Sequence, residues 1–288
     1  MDRKVQRVYT RPADHWVGDG FHVRTLFSYS RQGSMISPFL LLDHGGPETF
    51  APTEERRGVG EHPHRGFETV TIVYHGEVEH RDSGGHQGKI GPGDVQWMTA
   101  ASGVVHEEMH SRAFAKRGGA MEMAQLWVNL PAKYKKAPPR YQTLTRDRIP
   151  EVALERGAGK LRVIAGAFGE ATGPAETFTP LNVWDLQLTA GRRVSLEIPA
   201  GYSAILVPLH GRVRTADEQT VNEQEVAVLE SEGETVTLET ETDATVLVLS
   251  GEPIEEPIVG YGPFVMNTEA EIQEAIEDYR NGRMGHLV

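Results

Sequence analysis

Cysteine is absent from all 288 residues. That absence excludes a disulfide scaffold, a thiolate zinc site, an iron–sulfur cluster and a cysteine nucleophile. Basic charge is also short. Lys and Arg total 29 against 41 Asp and Glu, leaving a formal net charge of −12. Such a chain repels phosphate backbones, so direct nucleic-acid binding is not expected. Long apolar runs are missing too. Phe39-Leu40-Leu41-Leu42 and Val246-Leu247-Val248-Leu249 fall far below the ~20 residues of a membrane helix. The start, Met1-Asp2-Arg3-Lys4-Val5, lacks the apolar core of a signal peptide. The expectation is a cytoplasmic monomer with no membrane contact. What the chain does have is histidine, 12 in all. Any metal chemistry must therefore rest on imidazoles and carboxylates.

Short β-branched runs dominate, broken by Gly, Pro, Asp and Asn. Glu68-Thr-Val-Thr-Ile-Val-Tyr74, Ala204-Ile-Leu-Val-Pro208 and Thr245-Val-Leu-Val-Leu249 are examples. This pattern predicts an all-β chain of sandwich or barrel type. One long helix is expected at the end, over 268–281. Thr268-Glu-Ala-Glu271 has the form of a capping box, and Ile272, Ala275, Ile276 and Tyr279 recur on one face. The segment Pro131-Ala-Lys-Tyr-Lys-Lys-Ala-Pro-Pro-Arg140 interrupts the β pattern and reads as a connection whose lysines form a solvated surface. On either side of it the sequence repeats. Val73-Tyr-His-Gly-Glu-Val78 parallels Pro208-Leu-His-Gly-Arg-Val213, and Ile90-Gly-Pro-Gly-Asp-Val95 parallels Val221-Asn-Glu-Gln-Glu-Val226. Two related β domains are expected, 1–136 and 137–288, the second carrying the helix.

Ten histidines lie in the first half, at 15, 22, 44, 62, 64, 75, 80, 86, 106 and 110. In His62-Pro63-His64 the two imidazoles share one face of an extended segment. Pro63 cannot donate to a ladder, so this segment is an edge, a bulge or a strand entry. His106-Glu107-Glu108 repeats the spacing, placing a carboxylate beside a third imidazole. Three imidazoles and one carboxylate suit one divalent ion such as Fe(II), Mn(II), Ni(II), Cu(II) or Zn(II), and disfavour calcium. The other histidines read as surface groups or as supports around the ligands, and Trp97 and Trp127 as core.

At these residues the chain becomes recognisable. Gly60-Glu-His62-Pro-His64-Arg-Gly-Phe-Glu68 resembles the first cupin signature. That segment, Gly91-Pro-Gly-Asp-Val-Gln-Trp-Met-Thr99, Leu126-Trp-Val-Asn-Leu-Pro131, Pro38-Phe-Leu-Leu-Leu-Asp-His44 and Gly262-Pro-Phe-Val-Met-Asn-Thr268 together resemble the pirin family. The resemblance implies a bicupin, two jelly-roll-like barrels with a metal in the N-terminal one only. It implies iron held by His62, His64, His106 and Glu108. General cupins use the positions of Glu68 and His110 instead, so both stay open. Strand alternation favours Glu108, which leaves Glu68 as a supporting group or proton acceptor. Carried across the repeat, the first histidine pair falls on Glu197 and Pro199, and His106 and Glu108 on Thr237 and Glu239. The second cupin should then hold no metal. Members similar to this chain open flavonols such as quercetin with O2, with Glu108 or Glu68 as general base. Others act through protein partners, for which the strip Pro131–Arg140 with Arg146 and Arg148 is the candidate surface.

Overall fold

The computed structural model describes residues 1–287. It divides into two compact units, each built from one seven-stranded and one four-stranded antiparallel sheet. The all-β bicupin expected from the sequence is the fold observed.

The histidine-rich unit comprises Ala13–Thr25, Phe39–Arg146 and the stretch from Ile254 onward. Its large sheet runs Arg140–Leu144, Val95–Thr99, Phe67–His75, Gly119–Asn129, Phe39–Phe50, Phe21–Ser28, His15–Val17. Its small sheet runs Gly58–His64, Val104–His110, Val78–Asp82, Gln87–Ile90. Phe67–His75 is buried from Phe67 to Val73, as its unbroken apolar and Thr-rich run requires of a central strand. Val78–Asp82 alternates instead, turning Val78, His80 and Asp82 inward.

The second unit comprises Met1–Pro12, Leu26–Pro38 and Asp147–Pro253. It repeats the same two strand orders with Leu181–Leu188, Arg192–Glu197 and Thr235–Thr240 among its members. Its interior is aliphatic: Val194, Leu196, Val236 and Leu238 lie in one buried cluster. Ser195, Thr237 and Glu239 alternate with these and face the other way, Thr237 donating to Asp2 and Glu239 pairing with Arg214. The positions carried across the repeat thus fall on the outer face of this sheet, because the true correspondence differs by an odd number of residues, which reverses every side chain.

The domain boundaries differ from the expected cut at 136/137. Arg140–Leu144 pairs with Val95–Thr99, so the histidine-rich unit keeps its chain as far as Arg146. The chain ends are exchanged as well. Val5–Tyr9 pairs with Val226–Leu229 in the second unit, whereas the terminal helix, Glu269–Arg280, packs in the first. There Ile272 and Ala275 share a cluster with Val105, Phe264 and Met266.

Thr268 caps that helix, its side chain accepting from the Glu271 N–H as the capping box predicts. The buried face differs from the expected stripe, however. Tyr279 is exposed, and Asp278 is buried in its place. Asp278 receives the guanidinium of Arg65 at 2.7 Å, so an ion pair rather than an aromatic ring fixes the helix. Lys135 is a second departure. It is buried, with Nζ donating to the Gly66 and Val265 carbonyls and to Asn129 Oδ1. The lysines of this segment are therefore not all solvated.

The docking of the helix gives a direct test. Ile272→Ala should lower stability in urea unfolding by about 2–4 kcal/mol. A change below about 0.5 kcal/mol would show that the helix is not part of this unit's core.

Candidate metal centre

Three of the four proposed ligand positions converge. His62, His64 and His106 each offer a nitrogen, all within 4.8 Å of one another. Their ring centroids lie 4.3 to 4.9 Å apart. Two features of the chain produce this. In the antiparallel ladder His62 pairs with His106 and Val59 with Glu108. Gly60 and Glu61 therefore oppose the single residue Glu107, a β-bulge of the kind that re-aims side chains beside functional sites. The bulge lets His62, His64 and Val59 all face inward although their spacing is uneven. Gly60 supports it, its carbonyl lying 2.7 Å from His62 Nδ1.

Electrostatics set the protonation of two rings. Burial holds His64 and His106 well below the usual imidazole pKa, and the neighbouring His62 adds to the effect in both. Both are neutral at physiological pH, as ligands must be. Hydrogen bonding then selects the tautomer of His106. Its Nδ1 lies 3.4 Å from His80 Nδ1, and His80 Nε2 lies 3.1 Å from Asp82 Oδ2. If His80 donates to Asp82, its Nδ1 accepts from His106, and His106 Nε2 keeps a free lone pair. That Nε2, and His64 Nδ1, are buried with no hydrogen-bond partner among the described residues. Orphaned acceptors of this kind cost about 1–3 kcal/mol each. A cation seated between the rings would satisfy both, so the donor set fits a divalent metal.

Glu108 lies on the same face of its strand as His106 and shares a second close group with His106 and His80. Its carboxylate is held from the opposite sheet. Thr71 Oγ1 and Gln96 Nε2 donate to Oε1 at 3.1 and 2.8 Å, and Gln125 Nε2 donates to Oε2 at 2.8 Å. These donors form one row across the large sheet. Gln125 pairs with Thr71, Thr71 with Gln96, and Asp43 pairs with Gln125 on its other side. Tyr141 completes the support. Its hydroxyl donates to Gln96 Oε1 at 3.0 Å, and its ring stacks on His80 at 4.6 Å.

A cavity of about 260 Å³ opens beside these groups. His62, His64, Glu108, Asp43 and Gln125 supply its polar wall, and Phe21, Val23, Met123 and Trp127 much of its apolar one. Trp127, expected as core, is thus a cavity wall. Pro263 closes one side, and its backbone hydrogen-bonds His64.

Two sequence candidates are not brought here. Glu68 sits three residues before Thr71 on a regular stretch of strand, so its side chain points to the opposite face of the sheet. It pairs there with Thr99, which donates to Oε1 at 2.6 Å. Burial pushes its pKa up to about 7. His110 faces inward but lies against Phe21, Phe50 and Phe114, with Nε2 on the Gly20 carbonyl at 2.8 Å. His80 takes the supporting role that the sequence left open for it, whereas Asp82, Thr71, Gln96, Gln125 and Tyr141 serve the site unannounced. Their only sequence signal was polar residues at alternate positions of apolar strands.

Known proteins bear on this geometry. A family model described as pirin matches residues 20–128, and one described as the pirin C-terminal cupin domain matches 183–285. A Pseudomonas aeruginosa protein named "Putative quercetin 2,3-dioxygenase" is 58% identical over 281 residues, covering 98% of each chain. The pirin of Rattus norvegicus is 38% identical over 259 residues, covering 87% of this chain and 84% of its own. A crystal structure described as quercetin 2,3-dioxygenase from Acinetobacter baumannii superposes with a TM-score of 0.98 at 52% identity, covering 100% of both chains.

Two outcomes are expected from the supporting groups. Asp82→Asn should weaken metal binding by about 10–100-fold, because the ring orientation and tautomer of His106 lose their anchor; a titration with Ni(II) reads this directly. Unchanged affinity would remove Asp82 from the centre. For Glu68, the folded chain retains a proton that the unfolded chain loses near its ordinary value of 4.5. The stability it contributes is full at low pH and declines as pH rises toward about 7. Glu68→Gln should therefore shrink the stability loss between pH 5 and pH 8 by about 2–3 kcal/mol. Parallel losses in the two proteins, followed by urea unfolding, would contradict the assignment.

Proposed function

The chain belongs to the pirin family, and from that footing we propose that it is a metal-dependent dioxygenase that opens flavonols such as quercetin with O2. The observation that carries this reading is the set of three converging imidazoles, two of them with orphaned lone pairs, beside a cavity with aromatic and aliphatic walls. A flat phenolic substrate suits such a space better than a charged or bulky one.

We assign His62, His64, His106 and Glu108 as the ligands of one divalent ion, iron(II) first among iron, manganese, nickel, copper and zinc. Bound there, the ion would supply Lewis acidity toward an enolic hydroxyl and the assistance that reaction with O2 requires. The chain's own groups do the rest. Phe21, Val23, Met123 and Trp127 seat the ring system and limit water around it. We also assign Glu108 as proton acceptor, since it lines the cavity and its Oε2 accepts from Gln125 alone while Oε1 accepts from both Thr71 and Gln96. Gln96, Thr71 and Gln125 fix that carboxylate in place, which limits the reorganisation needed when a proton arrives. Glu68 has no part in this chemistry, because it faces away from the cavity.

The alternative, a regulator acting through protein partners, drew on the basic strip Pro131–Arg140. Of that strip, with Arg146 and Arg148, Lys135 is buried and Lys136 pairs with Glu274, so these two lysines are not free to recruit an acidic partner.

The proposal predicts oxygen uptake and carbon monoxide release when quercetin is added to the iron-reconstituted protein, and neither after chelation. The double substitution His62→Ala with His64→Ala should lose both the bound metal and turnover. Undiminished cleavage by a double variant shown to be metal-free would overturn it.

A further inference from the structure

The polar wall of the histidine cavity has two ends, and only one of them serves the proposed ligands. At that end Gln96, Thr71 and Gln125 grip Glu108. Asp43 stands one strand further out in the same row, paired with Gln125, and it lines the same cavity. Directly paired residues share a face of the sheet, so Asp43 turns inward with Gln125 and Thr71. It lies two strands from Thr71, or about 10 Å at the backbone.

One oxygen of Asp43 is anchored and the other is not. Thr25 Oγ1 donates to Oδ1 at 2.6 Å, while Oδ2 has no hydrogen-bond partner among the described residues. The residue is partly exposed, and Oδ2 is not one of the enclosed atoms that lack a partner, so it is open to a visiting group. Around it the cavity wall is largely apolar, with Phe21, Val23 and Met123. Burial raises the Asp43 pKa above the ordinary carboxylate value, against the opposing effects of Thr25 and the exposed His15. A carboxylate so placed is a strong acceptor for a neutral donor and repels anions.

We infer that Asp43 is a specificity-determining residue, its Oδ2 accepting a hydrogen bond from a ring hydroxyl of the substrate remote from the chelating one. The assignment rests on the flavonol reading above and deepens it: the cavity selects flavonols with further hydroxyls over the parent ring system. Its physical basis is the cost of a mismatch. A ring C–H would strip water from Oδ2 and leave the carboxylate unpaired, whereas a hydroxyl replaces the hydrogen bond that water makes.

The test uses the full chain loaded with zinc, which is redox-inert and holds a chelating hydroxyl without turnover. Calorimetric titration compares kaempferol, hydroxylated on both outer rings, with 3-hydroxyflavone, which carries the chelating hydroxyl alone. Kaempferol should bind about 10–100-fold more tightly. In Asp43→Ala that ratio should fall by about ten-fold or more. Asp43→Asn keeps the size of the side chain and an oxygen for Thr25, but turns an amide donor toward the cavity. It should lower the ratio likewise, and it decides the matter should Asp43→Ala fold poorly. A ratio unmoved by substitution, or absence of binding by both flavonols, would overturn the inference. Oxygen uptake by the iron-loaded, unsubstituted protein separates the two claims. A ratio lowered by substitution without any flavonol cleavage would sink the dioxygenase reading and uphold the role of Asp43, and cleavage with an unmoved ratio would do the reverse.

Discussion

Imidazoles packed at centroid distances below 5 Å cannot all carry charge out of reach of water. Burial settles this conflict by keeping His64 and His106 neutral, and neutrality leaves lone pairs that no other described residue takes up. Much of the surrounding structure follows from holding those rings in one place. The bulge at Gly60 and Glu61 aims His62 and His64 together. The pair His80 and Asp82 orients His106. Across the barrel, a row of neutral donors grips Glu108. Each support acts through a hydrogen bond of fixed direction, so the geometry is prepared before any ion arrives.

The last stretch of the chain belongs to this same machinery. Residues 263–266 run beside His64, Arg65 and Gly66, with the Arg65 N–H on the Pro263 carbonyl and the Val265 N–H on the Arg65 carbonyl. Lys135 ties Gly66 and Val265 together from beneath, and Asp278 of the terminal helix holds Arg65. Removing one member of a buried ion pair costs about 3–5 kcal/mol. The cost here would fall next to a ligand. A helix that looks like an accessory in sequence therefore bears on the position of His64.

Much of this was legible from residues alone. Period-two runs with turn signals indicated the β architecture, and the two His-containing pairs named the converging imidazoles. The failures have physical causes. Glu68 matched a cupin signature, yet strand parity relative to Thr71 sends it to the other side of the sheet. The second unit's equivalents were misplaced because an odd displacement in register is invisible to motif alignment but reverses every face. Lys135 looked like a surface group because its partners, Gly66 and Val265, are distant in sequence. The exchange of chain ends left no local trace, since strand pairing between residues 5–9 and 226–229 depends on the whole fold.

The central claim is that one ion sits among three imidazoles and the carboxylate held by Thr71, Gln96 and Gln125. X-ray absorption at the metal edge of the iron-loaded protein tests it most directly. The account predicts a spectrum fitted by three imidazole nitrogens and a carboxylate oxygen, with the carboxylate contribution lost in Glu108→Ala and retained in Glu68→Gln. A spectrum with fewer than three imidazoles, or a carboxylate contribution that disappears with Glu68 instead of Glu108, would contradict it.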